Sequence, residues 1–323
     1  MTDTIEIPSA SSEPRRRSRL GEFFSRLIKE KPLGMFGGIV ILLFIFVAIF
    51  ADVLSPYPYD KNNLMEMLMP PSTDYLLGTD HAGRDLLSRL IFGARVSLTV
   101  GLASSCIIIL LALLVGGAAG FIGGKVDLVI QRFIDGYMSF PALLLLLTVM
   151  TVVGRGLLQV IVVLGISYGI SNSRIIRSAV LAVKANEYFI AAKAVGTPTL
   201  RILWRHVLPN IIPPLIIIFS INVGVVIMAE ASLSFLGFGL PVNIPTWGGL
   251  LSREGREYME LAPWLALYPG LCLTIVVYSL NMFGDAMRDL LDPRLRGGQG
   301  SYGGTTIKRR GLFARLLLPE FKR

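Results

Sequence analysis

Six stretches of this chain carry no charged residue, and each is long enough to cross a lipid bilayer. They are Leu33 to Ala51, Val96 to Gly124, Gly136 to Gly154, Gly156 to Ser173, Val207 to Ala229 and Leu261 to Gly284. A spanning helix needs roughly 17 to 25 apolar residues. A backbone N–H or C=O in lipid finds no partner outside its own element, so such runs close their hydrogen bonds as helices, not open strands. The expected fold class is an all-α membrane protein with six transmembrane helices. Of the 323 residues, 53% are apolar and 16% charged, with mean hydropathy +0.64. That is too apolar for a soluble domain of this length. Gly156–Ser173 is the most polar block, holding Gln159, Tyr168, Ser171 and Asn172. Val96–Gly124 is longer than a bilayer requires and should run past it.

Lys and Arg placement sets the orientation. With both termini in the cytoplasm, the inner segments hold 24 of the 31 basic residues and the outer segments 7. The net charge of +9 then reflects topology and affinity for anionic membrane lipid, not nucleic acid. Cys106 and Cys272 both lie in apolar blocks and imply neither a disulfide framework nor a metal site. His81 and His206 fall on opposite sides of the membrane and cannot share a ligand sphere. Gly123-Gly124-Lys125 has the look of a phosphate loop. Ala119, however, stands where its first glycine belongs, and Val126 where Ser or Thr belongs, so no nucleotide site is expected.

The chain divides accordingly. Residues 1–32 are a cytoplasmic tail, polar and disordered over 1–13, with an amphipathic helix from Leu20 to Lys31. The cluster Arg15-Arg16-Arg17-Ser18-Arg19 resembles a twin-arginine signal. The apolar run starts well downstream without a small-x-small cleavage site, which favours an uncleaved anchor. Residues 33–53 are the first span, 54–95 an extracytoplasmic segment, and 96–294 a five-helix core with a cytoplasmic loop at 174–208. Residues 295–323 form a second cytoplasmic tail, Gly-rich from Gly297 to Gly304 and basic with apolar residues from Lys308 to Arg323.

The cytoplasmic loop contains a polar island, Ala185 to Pro214. Ala185 to Val195 is rich in helix formers. Val195-Gly196-Thr197-Pro198 then breaks the helix: Gly suits the left-handed end, Thr a cap, and Pro a first turn. A second short helix, Thr199 to Leu208, should follow, making a compact knob that small residues open to close contact. Pro209 and Pro213-Pro214 should break the chain again where it enters the fifth span. An amphipathic connector lying on lipid headgroups is the alternative reading. The spacing favours a knob. Ala191, Ala192, Gly196 and Leu208-Pro209 match the loop by which permease subunits of bacterial ABC importers grip their ATPases. That motif reads E-A-A, three residues, Gly, nine residues, Ile, one residue, Leu-Pro. Ile190 and His206 occupy its Glu and Ile positions. The resemblance implies ATPase-coupling contacts on Glu187, Ala191, Ala192, Gly196, Thr197, Arg201, His206, Leu208 and Pro209.

Two further motifs resemble the same family. Leu77 to Arg89 reads L-G-T-D, two residues, G-R-D, two residues, S-R. This is similar to the signature of the second permease of dipeptide, oligopeptide and nickel importers, as is the continuation from Gly93 to Leu98. Its residues of interest are Gly78, Thr79, Asp80, Gly83, Arg84, Asp85, Ser88 and Arg89. The glycines permit tight turns. Asp80 or Asp85 can pair with Arg84 or Arg89 as a structural clasp at the outer surface, and contact with substrate is the alternative. The run from Glu230 to Gly239 and Trp247-Gly248-Gly249 resemble that branch too, with Trp247 expected at the membrane interface. A carboxylate at the end of an apolar helix is costly unless paired or wetted. Glu230, Asn222 and Ser234 are therefore candidates for the translocation path, with outer water as the other setting for Glu230. In the second span Gly116, Gly117, Gly120, Gly123 and Gly124 permit close helix contact.

The resemblance implies a type I importer permease in the bacterial inner membrane, without catalysis or cofactor of its own. Its implied partners are a second homologous permease, two ATP-binding subunits carrying ATP and Mg, an extracytoplasmic substrate-binding protein and membrane lipid. Dipeptides or oligopeptides are the expected cargo. A nickel chelate, glutathione or a sugar are the alternatives within the class. A secondary transporter would instead show inverted repeats and ionisable groups at mid-bilayer. A membrane-anchored enzyme would show an acid–base or metal constellation. Neither pattern is present in the sequence.

Overall fold

The structure, a computed structural model, describes residues 19–252 and 254–291, with side chains from residue 25 onward. The polar amino-terminal residues, the arginines before residue 19, Asp292-Pro293-Arg294 and the Gly-rich and basic tail lie outside the described residues. Among the described residues the chain is helical and contains no strand.

Helix α1 (Arg19–Glu30) seats Leu27 against Ala286 and Leu290. α2 (Pro32–Ile49) starts on Pro32, whose missing N–H costs nothing in a first turn. It is apolar on all sides and largely exposed, as befits a lipid-facing helix. α3 (Leu86–Ile122) follows an irregular segment and widens into a π turn at Ala112–Gly116. α4 (Gly124–Met138) and α5 (Ala142–Val153) meet at 90°. Then come α6 (Leu157–Lys184), α7 (Glu187–Ala194), α8 (Thr199–Phe235), α9 (Trp247–Ser252), α10 (Glu254–Glu257) and α11 (Trp264–Leu291).

Five of these helices, α2, α3, α6, α8 and α11, are long and apolar enough to span a bilayer. The sixth expected span, Gly136–Gly154, is the bent pair α4–α5. The chain turns a right angle at Ser139-Phe140-Pro141, because Pro141 has no N–H to donate and pushes Phe140 out of the helical region. α5 has 12 residues, a rise of about 18 Å. That falls short of a hydrocarbon core of about 30 Å.

Two other expectations change. α3 begins at Leu86, ten residues before the uncharged block, so the segment 54–95 ends inside a helix. Its early charges are paired: Arg95 donates to the carbonyls of Ala48 and Ile49 and to Asp52. The break expected at the prolines is absent, since α8 runs unbroken through Pro209, Pro213 and Pro214. A π turn at Leu203–Val207 lies just before Pro209. The wider turn sits where the Pro209 ring would meet the carbonyl of Arg205, four residues back.

α3 packs along α6 and α8, α8 along α11, and α2 along α11 and α3. Small residues set the closest approaches. A Cβ at Gly116 would collide with the Ser173 carbonyl, and one at Gly120 would lie 2.9 Å from that of Arg177. Gly117, by contrast, meets nothing nearer than 3.9 Å. Gly123 and Gly124, at φ +72° and +58°, form the turn into α4 and do not make a helix contact. Arg177 holds Asp127 through two bonds of 2.5 and 2.6 Å, and Arg174 pairs with Asp135, tying α4 to α6. Lys184 donates to the last carbonyls of α3, at Gly120 and Phe121.

Candidate functional site

The signature from Leu77 to Arg89 folds into a charge clasp. Gly78 and Gly83 take positive φ, +82° and +70°, and turn the segment back on itself. Asp80 is fully buried. Its Oδ1 accepts from the backbone N–H of Ala82 and Arg84, at 2.8 and 3.0 Å. Its Oδ2 accepts from Arg84 Nε and Arg89 Nη1, both at 2.6 Å. Asp85 pairs with neither arginine. It caps α3 instead, accepting from Ser88 N at 2.8 Å and Ser88 Oγ at 2.5 Å. Thr79 Oγ1 donates to the Glu66 carbonyl and accepts from Met69 N, stapling the preceding loop.

A second acid completes the clasp from far along the chain. Glu254, on α10, accepts from Arg84 Nη2 at 2.9 Å and stands 3.1 Å from Arg89 Nη1. His81 Nδ1 lies 3.7 Å from it, with the ring stacked on Tyr258. Two acids and two guanidiniums thus balance in a nearly dry site. Burial works to raise the Asp80 carboxyl, but Arg89, the backbone donors and Arg84 hold it below the usual carboxylate range. At Glu254 burial prevails over Arg89, aided by the charge of Asp80, and its carboxyl is pushed up. The only sequence signal for Glu254 was its place in the charged run Arg253 to Glu257. Nothing there linked it to Asp80.

Trp247 joins the same end of the bundle. It is fully buried inside the chain, so its ring meets neighbouring helices and not lipid, with Nε1 donating to the Leu90 carbonyl at 3.2 Å and the ring edge-on to Phe44. An indole enclosed by helices satisfies its N–H inside the chain.

At the other end of the bundle lies the short helical turn. α7 opens on Glu187, where a carboxylate suits the positive helix end. Phe189 turns inward against Phe121. Ala191 is exposed and Ala192 half-buried. Gly196, at φ +77°, closes α7: its N–H bonds to Lys193 O and that of Thr197 to Ala192 O. Thr197 does not cap α8; Pro198 occupies that position without a side-chain bond. Arg201 is exposed, His206 lies against the Tyr188 ring, and Leu208 and Pro209 sit within α8. Val195, Leu200 and Trp204 present an exposed apolar surface around the turn, Val195 at 87% exposure. No sequence motif marked those three.

Asn222, Glu230 and Ser234 all face the interior of the chain. Asn222 and Asn172 exchange amide bonds at 3.2 and 3.4 Å, joining α8 to α6 within the spans. Glu230 is fully buried, with Oε1 accepting from Ser234 Oγ at 2.7 Å.

Residues 108–297 match the family described as the binding-protein-dependent transport system inner membrane component. Residues 18–71 match the N-terminal transmembrane domain of oligopeptide transport permease C. The dipeptide transport system permease protein DppC of Alkalihalophilus pseudofirmus is 36% identical over 296 residues, covering 92% of this chain and 97% of that protein. The oligopeptide transport system permease protein OppC of Bacillus subtilis is also 36% identical, covering 83% and 88%. Among solved structures, an inward-facing MetNI methionine ABC transporter chain aligns with TM-score 0.51 at 18% identity. It covers 63% of this chain and 96% of that one, a likeness of fold. Helices of this arrangement, matched over most of their length, place the chain in the family of binding-protein-dependent transport system inner membrane components, as a multi-pass permease subunit of an ABC importer.

Proposed function

We propose that this subunit carries dipeptides or short oligopeptides inward, with both termini in the cytoplasm, and that the turn around Gly196 is where it meets an ATPase. One observation carries the mechanism: α8 runs without interruption from Thr199, beside the turn, to Phe235. Its 37 residues make a rod about 55 Å long. Movement of the turn is therefore movement of a transmembrane wall. The exposed Val195, Leu200 and Trp204 and the small Ala191 suit a protein surface better than water. The peptide assignment is supported by the names of the most similar relatives. A glutathione transport permease is among them at 34% identity, and glutathione is itself a small peptide.

In this reading a second permease completes the path, two ATPases with bound ATP and Mg supply the work, and an extracytoplasmic binding protein delivers cargo. ATP hydrolysis occurs in the partners. The clasp of Asp80, Arg84, Arg89 and Glu254 is structural: it fixes the outer loop on α3 and α10 so that the rods tilt against a firm frame. Reconstitution tests the proposal. Labelled dipeptide should enter proteoliposomes only when both permeases, both ATPases, binding protein and ATP are present. Uptake by the lone chain, driven by an ion gradient, would refute it.

A further inference from the structure

A cavity of about 460 Å³ opens on the flank of the bundle where α5, α6, α8 and α11 meet. Leu146 and Met228 give it apolar walls, while Tyr168, Ser232 and Asn281 give it polar ones. None of its described lining residues is charged. Building on the peptide-permease reading, we propose that this cavity is the chain's share of the substrate path. Asn281 and Tyr168 are its hydrogen-bonding groups, and they engage the amide groups of the peptide backbone.

Several polar side chains of the spans are satisfied internally, while Ser105 Oγ is enclosed without a partner among the described residues and does not line the cavity. Asn172 bonds Asn222, Ser104 donates to the Ile161 carbonyl, and Ser220 and Thr274 donate to carbonyls four residues back. The Asn281 amide and the Tyr168 hydroxyl line the open cavity. Among the described residues neither has a hydrogen-bond partner. Left against lipid, such groups are costly, so their place is a wetted or ligand-filled space. An Asn amide offers both donors and an acceptor, and each peptide unit offers one of each. A lining without charge treats acidic and basic side chains alike, which suits a route for peptides of varied sequence.

The surrounding backbone supports the assignment. A Cβ at Gly224 would stand 3.4 Å from Asn281 Oδ1, an ordinary contact, so the Asn281 amide lies directly beside the α8 backbone. Met228 and Ser232 ride on the same unbroken helix as Leu208. A shift of the Gly196 turn thus reshapes this wall. The volume falls within the roughly 300–1,000 Å³ of small-ligand sites.

The test uses the complete reconstituted transporter in a cysteine-free background, with Cys106→Ser and Cys272→Ala. Ser232→Cys and Asn281→Cys are exposed to a small charged thiol reagent, with and without dipeptide-loaded binding protein and ATP. Labelling slowed severalfold by the peptide supports the proposal. No labelling in any nucleotide state, labelling only by a lipid-soluble reagent, or labelling indifferent to peptide while uptake persists would each overturn it. Asn281→Asp gives an independent arm. A carboxylate in this uncharged lining should slow an acidic dipeptide about tenfold relative to a neutral one, and an unchanged ratio would overturn the assignment. Absence of ATP-driven peptide uptake in the cysteine-free parent would sink the peptide-permease reading itself, and this inference with it.

Discussion

Replacing Asp80 by Asn separates the roles of the two acids in the charge clasp. Asp80 receives two guanidinium bonds at 2.6 Å and two backbone N–H bonds, and it is fully buried. An Asn keeps the shape but turns an amide donor toward two guanidinium donors or toward the backbone N–H groups. Removing one partner from a buried ion pair costs about 3–5 kcal/mol. Glu254 is bound more loosely. Its contacts are 2.9 and 3.1 Å, and its Oε2 has no partner among the described residues. Burial already disfavours its charged form, so Glu254→Gln should cost only about 1–3 kcal/mol. The expected gap of about 2 kcal/mol is roughly a thirtyfold difference in the folded-to-unfolded ratio. Thermal denaturation of the purified transporter in mild detergent reads this as a clearly lower midpoint for Asp80→Asn than for Glu254→Gln. Equal midpoints, or Glu254→Gln the lower, would refute the reasoning that Asp80 is the hub.

The same two groups predict opposite pH limbs. A carboxyl held below its usual range stabilises the fold above that range, so acidification below about pH 3.9 should destabilise the wild type through Asp80. Glu254, pushed up, favours the neutral form and works against stability as pH rises through the usual range. Melting curves across pH should therefore show a shallower acid limb in Asp80→Asn. Gly196→Pro removes the N–H that bonds Lys193 and forbids φ +77°. Uptake should vanish while membrane insertion, read by protease accessibility, stays normal. Gly196→Ala meets open space, so it should cost only the left-handed backbone, about 1–2 kcal/mol, and retain uptake. Gly116→Ala should disrupt packing of α3 on α6 and lower the yield of folded protein. Gly117→Ala should be neutral, and similar yields of the two would refute the close-approach argument. Trp247→Ala, emptying a fully buried site, should cost about 3–5 kcal/mol, measured in the same thermal assay.

Uncharged runs and turn chemistry are local properties, and they declared five of the spans and the left-handed glycine at 196. Other features depend on atoms brought together from far apart. Pro209, Pro213 and Pro214 signalled a break by themselves, yet α8 continues because the π turn at Leu203–Val207 absorbs the strain. Asp85 and Asp80 were equal candidates for pairing until α3 began at Leu86 and claimed Asp85 as its cap. Asn222 and Glu230 looked like pathway groups because a polar residue in an apolar helix needs a partner. Which partner it finds, Asn172 or Ser234, depends on how the helices are rotated.

The sequence by itself determined a helical membrane protein, the three motif-bearing segments and the left-handed turn, because burial in lipid and backbone sterics act on neighbouring residues. Only the tertiary structure decided that Glu254 answers Asp80 from 170 or more positions away, that the prolines lie within a continuous rod, and that Asn281 and Tyr168 find no partner among the described residues beside an open cavity. A contact between distant residues is set by helix rotation and close approach, and no local pattern encodes either.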